Sequence, residues 1–131
     1  MDNIVEMINA RTDVCAIEGC TDQQIEDAEK ELGIQFPEEY KAYVKAFGCI
    51  DFNGHEWTGL NIAGRLNTVK ATKKEMKVND SFPNGCFVLE DLGIDARKVL
   101  VDEQGCVWLL QYEKCERIAE SISAYFTDCE K

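Results

Sequence analysis

Residues 21–48 have the sequence TDQQIEDAEKELGIQFPEEYKAYVKAFG, in which capping and helix-ending residues predict two helices joined by a tight corner. Thr21 is suited to cap the first helix, because its hydroxyl can accept a backbone N–H while the Gln24 side chain reaches back to the Thr21 amide. Gly33 stands where a helix usually ends in a left-handed residue, a conformation that glycine adopts without a Cβ clash. Pro37 suits the first position of the second helix, because its missing N–H would have no partner there.

Apolar residues recur at helical spacing in both segments, so each helix is expected to bury one face. The predicted buried positions are Ile25, Ala28 and Leu32 in the first helix and Tyr40, Tyr43, Val44 and Phe47 in the second. Gly48 follows the second apolar stripe, and we expect it to close that helix. This helix pair is the most clearly delimited part of the chain.

The segments on either side of the pair carry weaker signals. Asp2 is placed to cap a short helix at the start of the chain, and residues 11–20 are expected to form a connector. After the pair, Asn53-Gly54 is a turn signal. Leu60 and Ile62 then alternate with polar positions as in a strand.

A third well-marked helix is predicted in the middle of the chain. Its sequence is TVKATKKEMKV, and either Asn67 or Thr68 is expected to cap it. The lysines in this segment recur three and four residues apart. Such lysines usually form a solvated face, so we do not assign them to an anion site.

Three short apolar runs in the last third of the chain predict strands. They cover residues 86–90, 98–102 and 106–112. Residues 102–105 are expected to join the last two runs as a hairpin, since Gly105 can supply a positive φ. The runs are apolar at consecutive positions, so either both sheet faces are shielded near the hairpin or one face is kept free for a partner. A closing helix is expected over residues 116–129.

These elements predict an α+β fold in which helices pack on one mixed, mainly antiparallel sheet. A chain of 131 residues fits one domain, which we assign to residues 1–131. The longest apolar runs are far shorter than the roughly 20 residues needed to cross a bilayer. Residues 1–10 carry acids and lack the basic and apolar regions of a signal peptide, so we expect a cytoplasmic location.

Seven cysteines are present, an odd number without a Cys-x-x-Cys pair, and several lie in apolar runs. We therefore expect unpaired, reduced thiols in the core. A zinc site is the alternative, but the closest pair, Cys15 and Cys20, has four residues between its members and no histidine nearby. Zinc sites normally show tighter paired spacings, so the sequence predicts no metal site and no cofactor.

The net charge of −11 is unevenly distributed along the chain. Residues 1–40 hold 11 acids and 2 bases, residues 41–85 hold 4 acids and 7 bases, and residues 86–131 hold 10 acids and 5 bases. Nucleic acid and anionic membranes are disfavoured as partners, because phosphate contacts need clustered Lys and Arg. A basic protein partner fits this charge better, and the alternative is that the acids simply keep the domain in solution.

His55 is the sole histidine, so any Cys–His or Ser–His mechanism must use it. The Asn-Gly-His-Glu-Trp run indicates an exposed turn, and nothing in the sequence places a nucleophile beside the imidazole. The sequence contains no glycine-rich phosphate loop, no His-Glu-x-x-His and no nucleophile elbow. Adjacent acids such as Glu90-Asp91 point apart along a strand and cannot act as a dyad. No catalytic residue is therefore predicted, and an enzyme that uses His55 is the least favoured alternative.

One set of residues follows the pattern of a known family. The set comprises Ile25, Glu29, Leu32-Gly33, Phe36-Pro37-Glu38-Glu39-Tyr40, Gly48, Trp57 and Gly59-Leu60. This pattern, E-x-x-L-G followed by F-P-x-x-Y and a later glycine, resembles the SUKH superfamily, the domain shared by fungal cell-wall synthesis regulators and many bacterial immunity proteins. Residues 82–88 and the closing helix follow the same order, so the resemblance covers nearly the whole chain.

The resemblance implies a non-enzymatic α+β domain whose signature residues are architectural, with Gly33 ending a helix, Pro37 starting one and Tyr40 filling the core. It also implies an immunity protein that binds and neutralises a cognate polymorphic toxin domain, such as a nuclease or a nucleic-acid deaminase, by occluding its basic surface. The alternative is a regulatory protein–protein interaction domain of the cell-wall-regulator type. We expect a monomer or a weak dimer that contacts neither nucleic acid nor membrane.

Toxin contacts are expected at acids on loops and strand ends, together with an aromatic anchor, because exposed charge pairs alone contribute little affinity. The candidate partner-binding residues are Asp51, Glu56, Trp57, Glu90, Asp91, Asp102, Glu103 and Trp108. Burial in the protein's own core is the alternative for both tryptophans.

Overall fold

The computed structural model describes residues 3–129, and within them five α-helices accompany seven strands. The helices are Ile4–Ala10 (α1), Asp22–Leu32 (α2), Glu38–Ala46 (α3), Thr68–Val78 (α4) and Ile122–Asp128 (α5). The strands are Cys15–Glu18 (β1), Phe47–Phe52 (β2), His55–Trp57 (β3), Phe87–Asp91 (β4), Arg97–Val101 (β5), Val107–Gln111 (β6) and Lys114–Ala119 (β7). A single turn of 3₁₀ helix spans Gly64–Leu66.

The seven strands form one sheet in which each strand pairs with its neighbours in sequence, in the order β1 to β7. Every pairing between these strands is antiparallel. The only parallel pairing in residues 3–129 is an isolated bridge between Gly59 and Asn67. The predicted α+β class with helices on a mainly antiparallel sheet is confirmed.

The predicted helix pair is present with nearly the expected ends. Thr21 caps α2 in a capping box, because its hydroxyl accepts the Gln24 N–H at 3.1 Å and the Thr21 N–H donates to the Gln24 side chain at 2.9 Å. Gly33 ends α2 in the left-handed conformation, with φ of 67°. Pro37 is the N-cap of α3 and stands one residue before its predicted place.

The prediction that Gly48 closes α3 is wrong. The helix ends at Ala46. Phe47 is already the first residue of β2, which pairs with β1. A Cβ on Gly48 would lie 2.4 Å from the Glu18 carbonyl oxygen. Glycine is therefore required at this position by the close approach of a neighbouring strand, and not by a helix end.

Three further predictions about the elements are corrected. Residues 11–20 are not all connector, because they contain β1. The segment around Leu60 and Ile62, predicted as a strand, is not one. The closing helix is α5 alone, since residues 114–119 form β7 and pair with β6. Strand β7 is exposed along most of its length, and its pairing with β6 determines its conformation there.

The cap predicted at Asp2 lies outside the described residues. Helix α1 is capped by Asn3, whose side-chain oxygen accepts the Val5 N–H at 2.9 Å. Asn67 caps α4, because its side-chain oxygen accepts the Lys70 N–H at 3.1 Å. It is one of the two caps, Asn67 or Thr68, that the sequence predicted. The predicted Asn53-Gly54 turn is confirmed and joins β2 to β3, with positive φ at both residues.

The main core lies between one face of the sheet and helices α1, α2, α3 and α5. Trp57 is fully buried at its centre and contacts the rings of Tyr43, Phe52 and Phe126 edge-on at centroid distances of 5.5, 5.5 and 5.7 Å. Tyr40 is also fully buried, and its hydroxyl lies 2.5 Å from that of Thr68. No helix within residues 3–129 combines the length and apolar character needed to span a membrane.

Candidate functional site

The two faces of the sheet are covered unequally. The face that carries the main core is covered by four helices. The opposite face, here called the second face, holds a smaller apolar cluster of Cys86, Val88, Leu100 and Leu110, against which Ala71, Phe82 and Trp108 pack. Because Ala71 belongs to α4, and Glu75 of the same helix pairs with Lys98 of β5, this helix covers the part of the second face beside β4 and β5.

Strand alternation brings several of the predicted contact residues to the second face. Asp51 lies between Ile50 and Phe52, both of which are in the main core, so its exposed side chain points to the second face. Trp108 is half-buried and packs on the cluster of that face. Glu56 pairs directly with Asp51 across the β2–β3 hairpin and therefore lies on the same side.

A cleft of about 650 Å³ opens on the second face between α4, the 3₁₀ turn and strands β3 to β5. Its floor includes Val88, and Glu56 and Asp91 stand on its wall. Both acids are paired with bases, since Glu56 lies 3.0 Å from Arg65 and Asp91 lies 3.5 Å from Lys98. The sequence identified these two acids but not their basic partners.

Asp102 and Trp108 are brought together at the β5–β6 hairpin. The Trp108 indole N–H donates to Asp102 Oδ2 at 2.9 Å. Asp102 Oδ1 accepts the Gln104 and Cys106 backbone N–H groups at 2.9 and 3.0 Å. Asp102 therefore closes the hairpin and orients the indole at the same time, a role that differs from direct contact with a partner.

Glu103 lies at the tip of the same hairpin and faces α2. Its Oε2 accepts the Gln35 N–H at 3.0 Å, and the adjacent Phe36 N–H donates to Glu29 Oε2 at 2.8 Å. Together with Glu26, these carboxylates line a shallow cleft of about 490 Å³. Glu103 thus belongs to an acidic surface built mainly by α2, which the sequence did not connect with the hairpin.

The other two predicted contact residues are inside the protein. Trp57 is buried in the core, which was the alternative in the sequence analysis. Its indole N–H has no hydrogen-bond partner among residues 3–129. Glu90 is 2% exposed. Its Oε1 accepts the Tyr125 hydroxyl at 2.6 Å, and its Oε2 lies 2.7 Å from His55 Nδ1. Neither residue is on the surface that a partner would meet.

His55 is not the exposed turn residue that the sequence indicates. It begins β3, its side chain is 25% exposed, and its ring stacks on Phe52 with centroids 5.4 Å apart. Cys129 joins the group, because one ligating atom from each of His55, Glu90 and Cys129 lies within 4.8 Å of the others. No local spacing could have shown this, since the three residues come from distant parts of the chain.

Burial raises the pKa of two members of this group, Glu90 and Cys129. Burial raises the pKa of Glu90 above its ordinary value of 4.5, although the Tyr125 hydroxyl and the His55 imidazole oppose that rise. Burial also raises the pKa of Cys129 to about 12. A thiol that is protonated at neutral pH is a poor nucleophile, so a Cys–His mechanism at His55 gains no support from this geometry.

The protein is an α+β domain in which four helices cover one face of an antiparallel sheet. The other face is partly open and carries a half-buried tryptophan, which suits protein–protein contact. The chain belongs to the SUKH_5 family, described as SMI1-KNR4 cell-wall, whose model matches residues 1–131. Domains of this family engage other proteins and are generally immunity or regulatory proteins rather than enzymes. No curated protein matches the chain.

Proposed function

We propose that this protein is a cytoplasmic immunity protein that binds a cognate polymorphic toxin domain, such as a nuclease or a nucleic-acid deaminase, and covers its basic surface. The observation that carries the proposal is membership of a family of immunity and regulatory domains in a chain with a net charge of −11. A toxin that acts on nucleic acid must present a basic groove to its substrate. An acidic inhibitor meets that groove and gains association rate from long-range attraction.

The contact surface in this proposal is the second face of the sheet together with the hairpin tip. Trp108 is the aromatic anchor, because the Asp102 carboxylate already orients its indole and little side-chain entropy is lost on binding. Asp51 is exposed on the same face, and Glu103 stands at the tip beside the acids of α2. Glu56 and Asp91 also lie on that face, but they are paired with Arg65 and Lys98 in a cleft that Lys70 and Lys74 line as well. Asp51 and Glu103 therefore steer the encounter, and the indole provides the desolvated centre.

The salt dependence of association tests the proposal. If the neighbouring gene encodes a toxin domain, that domain is the partner to use, and association rates are measured from low to high salt. Reversing the charge of Asp51 or Glu103 to Lys should slow association on the order of tenfold at low salt, with the difference vanishing at high salt. Asp128→Lys is the control for Asp51→Lys, since Asp128 is also exposed but lies at the end of α5, on the opposite side of the sheet from Asp51.

Two results would count against parts of the proposal. Equal rates for all variants at every salt concentration would remove electrostatic steering from these acids. The absence of both binding to the neighbouring toxin and protection against it would overturn the immunity function.

A regulatory interaction domain is the second candidate, and the cell-wall description of the family favours it. In that case no toxin gene lies beside this one, and the partner is a cellular protein that is bound without any protection phenotype. Inspection of the neighbouring gene separates the two candidates.

A further inference from the structure

Three side chains that commonly bind transition metals converge beside the main core. They are His55 on β3, Glu90 on β4 and Cys129 directly after α5. One ligating atom of each lies within 4.8 Å of the other two, and His55 Nδ1 is 2.7 Å from Glu90 Oε2. The imidazole, carboxylate and thiol therefore point at one common volume.

Two of these side chains are held by contacts of their own, and the third residue is held through its backbone. The Tyr125 hydroxyl donates to Glu90 Oε1 at 2.6 Å, which leaves Oε2 directed at His55, and the His55 ring stacks on Phe52. The backbone of Cys129 is fixed by the Asn53 side-chain amide, which donates to the Cys129 carbonyl at 3.1 Å. Second contacts of this kind orient metal ligands and tune their basicity.

The chemistry of the three ligands selects the metal. Nitrogen, oxygen and sulfur ligands together suit zinc, whereas calcium and magnesium prefer oxygen alone. Three protein ligands leave a fourth tetrahedral position for water or an outside group. The His55 side chain is 25% exposed whereas Glu90 and Cys129 are buried, so His55 lies at the solvent side of the group.

We propose that His55 Nδ1, Glu90 Oε2 and Cys129 Sγ bind one zinc ion, with a fourth position open toward solvent beside His55. On binding, Cys129 releases its thiol proton, and His55 binds through Nδ1 as the neutral imidazole with its proton on Nε2. The ion fastens the C-terminal end of α5 to the β2–β3 hairpin and to β4. The site lies on the main-core side of the sheet, whereas Asp51 and Trp108 of the proposed contact surface lie on the second face.

Cobalt(II) is the probe, because a thiolate ligand gives its complex a charge-transfer absorption band. Metal-free full-length protein is titrated with Co²⁺, and Zn²⁺ is then added to displace it. We expect one equivalent of Co²⁺ per chain, a thiolate band, and displacement by one equivalent of Zn²⁺. The melting temperature of the wild type should rise when Zn²⁺ is added.

Variants distinguish this site from adventitious binding at exposed thiols. Cys129→Ser should abolish the thiolate band, whereas Cys115→Ser, which alters an exposed cysteine on β7, should leave it unchanged. His55→Gln should weaken Zn²⁺ binding at least roughly tenfold and Tyr125→Phe by a similar factor. His55 is partly exposed, so its variant keeps the test informative even if the Cys129 variant fails to fold.

Two outcomes overturn the proposal. One is the absence of a stoichiometric Co²⁺ complex in the wild type. The other is a thiolate band that survives Cys129→Ser or disappears in Cys115→Ser, because the ion would then sit at another cysteine.

Discussion

The Trp108 indole N–H donates to Asp102 Oδ2 at 2.9 Å across the β5–β6 hairpin. The same carboxylate accepts two backbone N–H groups of the turn, from Gln104 and Cys106. One side chain thus links the conformation of the hairpin to the orientation of the half-buried tryptophan on the second face. If Trp108 is the binding anchor, Asp102 affects binding through the geometry of the indole.

Asp102→Ala should reduce the free energy of unfolding by about 2 kcal/mol, because three N–H donors lose a charged acceptor. Asp102→Asn should cost less, since the amide retains an acceptor oxygen. Urea unfolding followed by circular dichroism measures both. Gln104→Ala is the control and should stay within about 0.5 kcal/mol of the wild type, because the Gln104 side chain is exposed. Equal stability of Asp102→Ala and wild type would show that the turn does not depend on this carboxylate.

Trp108→Ala should weaken binding of the toxin domain by about 2 kcal/mol, or roughly thirtyfold in Kd. The reason is the loss of a large, preoriented aromatic group from the centre of the proposed surface. Tyr112→Ala is the matched control, since Tyr112 is an aromatic that is 60% exposed in the turn directly after β6. Calorimetric titration measures both variants, with circular dichroism to verify folding. A larger loss for Tyr112→Ala would move the anchor to the β6–β7 turn.

Gly59→Ala should destabilise the fold by at least about 3 kcal/mol or prevent folding. A Cβ on Gly59 would lie 1.4 Å from the Gly48 carbonyl oxygen, which is backbone and cannot rotate away. Gly33→Ala should cost only about 1 kcal/mol, because no atom lies within 4 Å and the cost comes from its φ of +67° alone. Urea unfolding compares the two. A folded Gly59→Ala protein of wild-type stability would contradict the close approach.

Cys86 should be alkylated far more slowly than Cys15 in the native protein. Burial raises the pKa of Cys86 from 9.0 to about 12, which lowers its thiolate fraction at pH 8 roughly a thousandfold. Cys15 is exposed on β1. Iodoacetamide labelling followed by peptide mass spectrometry gives both rates, and urea should abolish the difference. Similar native rates would mean that Cys86 is accessible and more readily ionised than its burial implies.

The parts of the fold that the sequence predicted correctly depend on contacts within a few residues. The capping box of Thr21 and Gln24, the left-handed Gly33 and the Asn53-Gly54 turn each close over neighbouring residues in the chain. The two strands joined by residues 102–105 were likewise marked by their own apolar runs and turn. Local propensity and local hydrogen bonding suffice for such features.

Predictions failed where a distant neighbour determines the conformation. Strand β7 has an exposed sequence that also suits a helix, and its pairing with β6 makes it a strand. Position 48 requires glycine because the backbone of the paired strand β1 approaches it closely. In the sequence, the position follows an apolar stripe, which suggested a helix end instead. These outcomes depend on packing between elements that no window of sequence contains.

The same distinction separates the candidate sites. The sequence alone indicated the family and the excess of acids. It also identified Glu103 and Trp108 as candidate contact residues. That Asp102 orients Trp108 and that Glu90 is buried against His55 followed only from strand register and burial. The convergence of His55, Glu90 and Cys129 has the same origin, because side chains far apart in sequence meet only when the sheet and its helices pack together.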